Sequence, residues 1–275
     1  MFRYMVAPLE DHSDTAFRRL CHNHGADLTF TEMAKVDGLA RRNKPTEKKA
    51  MCKDNTPTQI QILPGNDKEL SKYLDSFVPT GGFLGFNFNF GCPAPEVQKA
   101  GRGCAMVKRI SKANRLISIV RAHNFPISIK IRLGANSFQK SVKVYMNLIK
   151  GADPDFFIVH ARTGKDTYND KPDYSVFPEC VASGKEIIAN GDVETKEAVE
   201  EVRAMGVKGV MIGRAAVRNP AIFDMLKGKP TPSFAELIDE YSALAKKYET
   251  DPRHEKNVLK RIGQQFTPSY AESRM

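Results

Sequence analysis

The sequence predicts a (β/α)8 TIM barrel followed by a small helical C-terminal extension. Short, apolar, β-branched segments alternate with helical periodicity over residues 4–212, which implies a parallel sheet covered on both faces. Eight such β/α units can be counted, and eight favour closure into a barrel over an open sheet. The 275-residue length suits one barrel domain of ~250 residues, and 41% hydrophobic content is enough to fill its core.

The elements follow in order. Residues 4–7 read as the first strand, ended by Pro8, and the polar turn 11–14 caps a helix over 15–23 that stops at Gly25. Residues 28–31 make the second strand, followed by a basic, loop-rich connection with Arg41, Arg42, Lys44, Lys48 and Lys49. The third strand, 58–63, is closed by Pro64-Gly65 and followed by a helix over 68–77. Phe83, Leu84 and Phe86 form a short fourth strand after the Gly81-Gly82 break. Helix 111–123 leads to strand 127–131, a single helix over 138–149 to strand 156–159, then come strand 187–189, helix 195–205 and strand 210–212. Past Asn219-Pro220 the pattern changes to an amphipathic helix over 234–248 and a second helix over 257–266. A boundary near residue 228 then divides a barrel, 1–228, from a tail, 229–275, too short to stand alone with ease and expected to dock on the barrel.

Forty-two Lys and Arg against 32 Asp and Glu give a net charge of +10, which favours a polyanionic partner, although general solubility uses the same charge. No stretch reaches the ~20 apolar residues of a membrane span, and the apolar part of the N-terminus is too short for a signal peptide. A soluble cytoplasmic protein is therefore expected; the oligomeric state stays open in the sequence, with a monomer as the expectation. The five cysteines are odd in number, form no C-x-x-C pair and have no histidine at metal-ligand spacing, so reduced thiols and no metal site are expected.

Barrel active sites are built at the carboxyl ends of the strands. Cys92 sits there, between Gly91 and Pro93, with Asn87 and Asn89 just upstream. By residue type alone a cysteine is more often structural, but the Gly and Asn residues around this one favour a thiol facing a ligand as proton donor or nucleophile. After strands seven and eight, Asn190-Gly191-Asp192 and Gly213-Arg214 offer backbone N–H groups and a guanidinium where such barrels hold phosphate. Alone, Asn-Gly is an ordinary turn; paired with Gly-Arg on the adjacent strand it favours a phosphate. Lys130 either snorkels from a strand end or brings a fixed positive charge to a ring that becomes anionic. Gln61 either meets a heterocycle edge or satisfies a neighbouring backbone group. His160 and Arg162, two positions apart, would point to one side of an extended chain and share a ligand.

Ala7-Pro8-Leu9, Thr31-Glu32-Met33, Gln61-Ile62, Asn89-Phe90-Gly91-Cys92-Pro93, Gly101-Arg102-Gly103, Lys130-Ile131-Arg132, His160-Ala161-Arg162-Thr163, Asn190-Gly191-Asp192 and Gly213-Arg214 together resemble the tRNA-dihydrouridine synthase family in order and spacing. The resemblance implies an FMN-containing barrel that reduces the C5=C6 bond of particular uridines in tRNA, with hydride from flavin N5 to C6, a proton from Cys92 to C5, and NADPH as reductant. By the same likeness Ala7, Pro8, Leu9 and Gln61 line the flavin ring, Lys130 sits at its N1/O2 side, and Asn190, Gly191, Asp192, Gly213 and Arg214, helped by His160, hold its phosphate end. Asn89 and Arg162 would face the base, and Cys104 is a rival thiol in a place where family members use small residues. Leu9 and Glu10 depart from the family pattern at the ring, and the tail resembles only the start of the family's tRNA-contacting helical domain, a shortened form. A flavin reductase of a free pyrimidine or small enone, and a non-catalytic tRNA-binding flavin barrel, are the competing readings; which uridine is modified stays open.

Overall fold

A computed structural model describes residues 1–264. Its strands are β1 (Arg3–Val6), β2 (Thr29–Phe30), β3 (Ala34–Lys35), β4 (Thr58–Leu63), β5 (Phe83–Phe90), β6 (Ile127–Arg132), β7 (Phe157–His160), β8 (Ile187–Asn190) and β9 (Gly209–Ile212). They pair in the order β1-β9-β8-β7-β6-β5-β4-β2, and a parallel bridge from Met5 to Leu28 brings the two ends of that row together. The result is the expected (β/α)8 barrel, with one strand position broken in two. Thr29 of β2 pairs with Thr58 at the start of β4, while Ala34 of β3 pairs with Ile62 near its end. Residues 31–33 interrupt that position at the mouth.

Strict alternation decides what each strand shows to the barrel axis. In β5, Phe86, Phe88 and Phe90 are fully buried in the large core beneath the surrounding helices. Asn87 and Asn89, between them, therefore turn inward. The interior has two characters. Met5, Leu28, Phe30, Phe156, Ile158, Ile188 and Met211 form a compact apolar cluster of their own. On the β4–β6 side the filling is polar and hydrogen-bonded in a row. Asn89 Nδ2 donates to Gln61 Oε1 (2.9 Å) and Gln61 Nε2 to Asn87 Oδ1 (2.7 Å). Asn87 Nδ2 donates to Ser128 Oγ (2.7 Å), and Ser128 Oγ to Gln59 Oε1 (2.5 Å). Burying these amides is tolerable because each finds its partner in the next.

Three sequence expectations within the barrel need correction. Strand β5 extends past Phe86 to Phe90, because its asparagines serve as inward ladder residues, not turn formers. The helix expected over 138–149 is two helices, Ser137–Ser141 and Val144–Gly151, separated where Lys143 adopts φ 53°. The basic connection holds two short helices, Val36–Ala40 and Lys44–Lys49, the latter capped by Asn43 and started by Pro45. Among the described residues no helix is long and apolar enough to cross a membrane.

In the tail, the helix Phe234–Lys247 opens with a reciprocal cap between Ser233 and Glu236. Its Leu237, Tyr241 and Ala245 are buried, and Glu240 accepts from Asn23 Nδ2 at 2.8 Å and faces His24 Nε2 at 2.7 Å, tying it to the helix Thr15–Asn23. The next helix is Pro252–Leu259, earlier than the expected 257–266, because Asp251 caps it and Pro252 starts it; positions 265 and 266 of that expectation lie outside the described residues. His254 of this helix meets the buried Glu32, just beyond β2, at 2.9 Å. The Glu32 hydrogen bond, opposed by burial, raises the imidazole above its ordinary value. A raised folded pKa stabilises below the unfolded value of about 6.5 and is lost as pH rises through the folded value. Glu32→Gln is therefore expected to return the His254 titration, read by NMR, toward about 6.5 and to remove part of the stability gained on acidification.

Candidate active site

A cavity of about 330 Å³ opens at the carboxyl ends of the strands, within the range of small-molecule sites. Every strand position around the ring contributes to its wall. Ala7, Pro8 and Leu9 follow β1, Gln61 lies on β4, Asn89 on β5 with Cys92 after it, Lys130 and Arg132 on β6, and His160 on β7. Asn190, Gly191 and Asp192 close β8, and Gly213 and Arg214 follow β9. Of the residues given a role at the site from the sequence, all but Arg162 are on this wall; the rival thiol Cys104 is not.

The turn carrying Cys92 is built from Asn89. Its Oδ1 accepts from the backbone N–H of Gly91 (3.0 Å) and of Cys92 (2.9 Å), while its Nδ2 is held by Gln61 (2.9 Å). Asn89 thus supports the thiol besides facing the cavity. Cys92 is half-buried, whereas Cys104 is fully buried and donates its S–H to the Gly91 carbonyl at 3.2 Å. Burial raises the Cys92 thiol above its ordinary value, against a backbone N–H from Ala94 that pulls it down. The proton therefore stays on sulfur at neutral pH, as an acid requires. Cys104, pushed up to about 11 by burial, is off the cavity wall.

Lys130 faces the cavity and is only partly covered, yet protein crowds its ammonium enough to lower its pKa to about 7, with Arg132 adding repulsion. A lysine depressed in the folded state binds fewer protons there than in the unfolded chain between pH 7 and about 10, so its penalty is full below pH 7 and fades above it. Lys130→Met is thus expected to stabilise the ligand-free protein by up to a few kcal/mol, most below pH 7, less whatever cavity water relieves; thermal melts across pH check it.

His160 is held well below its ordinary value by burial, then by the charges of Lys130, Arg132, Arg162 and Arg214. The ring is neutral. Its Nε2 lies 3.4 Å from Arg162 Nη1, and a guanidinium only donates, so the ring proton sits on Nδ1. Gly191 packs against this ring with φ +121°; a Cβ there would come within 3.1 Å of His160 and 3.2 Å of Pro172. Only glycine fits.

Asp192 lies between two arginines. Arg162 pairs with one carboxylate oxygen and Arg214 with the other at 2.5 Å. Burial opposes its ionisation, but the Arg162 hydrogen bond and the two guanidinium charges outweigh that and hold the carboxyl below its usual range. Arg214 also lies over the Tyr168 ring, 4.0 Å from its centre. Arg162 is where the sequence reading and the structure part. It is 2% exposed and spends its donors on the Asp170 carbonyl (2.7 Å), the Tyr168 carbonyl (3.4 Å) and Asp192. As strand alternation predicts, it stays beside His160, with Nη1 3.4 Å from the ring, but its backbone N–H bonds the His160 carbonyl at 2.8 Å in a three-residue turn, and the guanidinium lies under the following loop, off the cavity wall. Two wall residues had no role from the sequence: Met33, quoted only within a motif, and Tyr168. Met33 follows the short β2, and Tyr168 arrives on the loop after β7; no local periodicity marks either.

Fold and cavity define a (β/α)8-barrel protein with a polar, ligand-sized pocket carrying one half-buried thiol on its wall, that of Cys92. Residues 5–269 match the family model described as dihydrouridine synthase (Dus), and the chain belongs to that family. It is similar to a probable tRNA-dihydrouridine synthase of Helicobacter pylori (strain ATCC 700392 / 26695), 31% identical over 239 residues, with 82% of this chain and 70% of that protein covered. It is also similar to tRNA-dihydrouridine synthase B of Pseudomonas syringae pv. tomato, 29% identical over 238 residues, with 83% and 70% covered. Among solved structures, an oxidized active mutant of (S)-mandelate dehydrogenase overlays with a TM-score of 0.50 at 13% identity, covering 94% of this chain and 76% of that one, a likeness of fold alone.

Proposed function

We propose that this chain is an FMN-dependent, NAD(P)H-consuming reductase of the C5=C6 bond of uridine in tRNA. The observation that carries the reading is the cavity, which unites a thiol that keeps its proton, a lysine of depressed pKa and an arginine-bearing glycine corner on one wall. Family membership sets the reaction class.

The residues fit an FMN. Gly191 leaves backbone open where any side chain would close on His160, and Arg214, held by Asp192 and Tyr168, supplies the cation for a phosphate. Asn190 and Gly213 complete that end, with His160 donating through Nδ1. Lys130, about half ionised near neutral pH, would present its ammonium to an anionic ring edge, whose charge would offset the desolvation that depresses it. Ala7, Pro8, Leu9 and Gln61 flank the ring. Bound there, FMN would supply hydride to C6 of the pyrimidine.

Cys92 then gives its proton to C5, and its raised pKa makes the resulting thiolate quick to recover a proton. Asn89, with one amide hydrogen committed to Gln61, offers the other to a base carbonyl. Arg162 acts through Asp192, not on the base. Residues 1–228 form the catalytic unit and 229–275 contribute to tRNA contact, with the net +10 charge serving the phosphate backbone in the cytoplasm. The uridine must leave its stack to reach such a cavity.

The test is mass spectrometry of tRNA from cells with and without the gene, mapped to nucleotide position. The expected result is at least one uridine that gains two hydrogens only when the gene is present. Identical tRNA in both strains would overturn the reading.

A further inference from the structure

The reaction described above uses one thiol of the cavity and leaves a second, Cys104, directly behind it. The backbone N–H of Cys104 donates to the Cys92 carbonyl at 3.0 Å, and its Sγ lies 3.2 Å from the carbonyl oxygen of Gly91, the residue bonded to Cys92. Covalent geometry around that first hydrogen bond holds the two Cα atoms roughly 5–6.5 Å apart, the spacing disulfides span. The approach depends on Gly103. At φ +56°, a Cβ on it would meet the Cys92 oxygen at 2.5 Å and the Cys92 Cβ at 3.1 Å. Glycine lets the two cysteine segments touch.

Exposure separates the two thiols. Cys92 is half-exposed on the cavity wall, while Cys21, Cys52, Cys104 and Cys180 are buried. A small oxidant entering the cavity meets Cys92 alone, with Cys104 waiting beneath it. That is the arrangement of an attacked thiol and a resolving thiol.

We propose that Cys92 and Cys104 form a reversible disulfide that switches the site off under oxidation by a hydroperoxide. In the first step the Cys92 sulfur attacks the peroxide, the O–O bond breaks, a sulfenic acid forms and water or an alcohol leaves. In the second, the Cys104 sulfur attacks the sulfenic sulfur, the S–O bond breaks, the S–S bond forms and water carries off the hydroxyl. Two electrons pass from the thiols to the peroxide, and a dithiol reductant returns them. The first step runs through the Cys92 thiolate, which desolvation makes scarce and, once formed, strongly nucleophilic. The disulfide spares Cys92 the irreversible sulfinic acid and removes its proton for as long as it lasts. Its consequence for turnover rests on the proposed role of Cys92 as acid; its chemistry does not.

The experiment treats the full-length protein with hydrogen peroxide, blocks the remaining thiols and maps peptides without reduction. Trypsin separates the two cysteines at Lys99 and Arg102, so a bridge appears as a linked pair of peptides. The expected result is loss of two of the five free thiols, a Cys92–Cys104 linked peptide, and full recovery with dithiothreitol. In Cys104→Ser, which keeps a donor to the Gly91 carbonyl, and in Cys104→Ala, Cys92 should pass to sulfinic acid that dithiothreitol does not reverse, while untreated activity is retained. Peroxide that leaves Cys92 unmodified, or that drives it to sulfinic acid equally in wild type and both variants, would overturn the proposal. Neither outcome would touch the tRNA reading, which is tested on tRNA alone.

Discussion

Cys92→Ala is expected to fold, to keep its flavin and to lose dihydrouridine formation by about 10²–10⁴-fold, the usual weight of a positioned acid. The side chain is half-buried and donates no hydrogen bond that holds the turn; Asn89 holds it through the backbone N–H groups of Gly91 and Cys92. Removing the sulfur therefore removes a proton and the acceptor of the Ala94 backbone N–H, and leaves the turn held by Asn89. The wild-type rate should also fall as pH rises through the raised pKa of the thiol, since an acid must carry its proton. Both are read by mass spectrometry of tRNA incubated with enzyme and reductant. Wild-type product from the alanine variant would take Cys92 out of the reaction.

Arg214→Ala is expected to weaken FMN by about 1.5–3 kcal/mol, roughly 10- to 150-fold in Kd, the loss of one charge-assisted contact. Arg214→Lys should recover little, because Arg214 serves both the Asp192 carboxylate at 2.5 Å and the Tyr168 ring at 4.0 Å through its planar guanidinium. Fluorescence titration of the flavin-free protein with FMN measures both. Undiminished binding in the alanine variant would place the phosphate elsewhere in the cavity.

The barrel was legible because short apolar runs rich in β-branched and aromatic residues alternate with helical segments and its punctuation falls at glycine and proline. Residue-by-residue alternation within one strand hid part of the site. Phe86-Asn87-Phe88-Asn89-Phe90 reads locally as a strand dissolving into a polar turn, but inside a closed barrel the asparagines face one another's neighbours and the strand continues. Arg162 keeps the predicted place beside His160, but the loop after β7 covers it and takes its donors through the Asp170 and Tyr168 carbonyls and Asp192, which no local pattern foretells. Glu32 and His254 are 222 positions apart, and no local pattern joins residues across that distance. What sequence reasoning finds well is the end of each strand. What it misses is arrival from a loop or a distant helix, as with Tyr168.

The row of buried amides behind Cys92 has a fixed polarity. The backbone N–H groups of Gly91 and Cys92 oblige Asn89 to present its oxygen to them and its nitrogen to Gln61, and each following group, through Asn87 and Ser128 to Gln59, inherits its orientation from the one before. A carboxylate in place of Gln61 or Asn87 would set acceptor against acceptor somewhere along that row. The depths of the barrel and the thiol at its rim therefore do not vary independently: an exchange far below the sulfur is transmitted upward to the backbone turn that aims it.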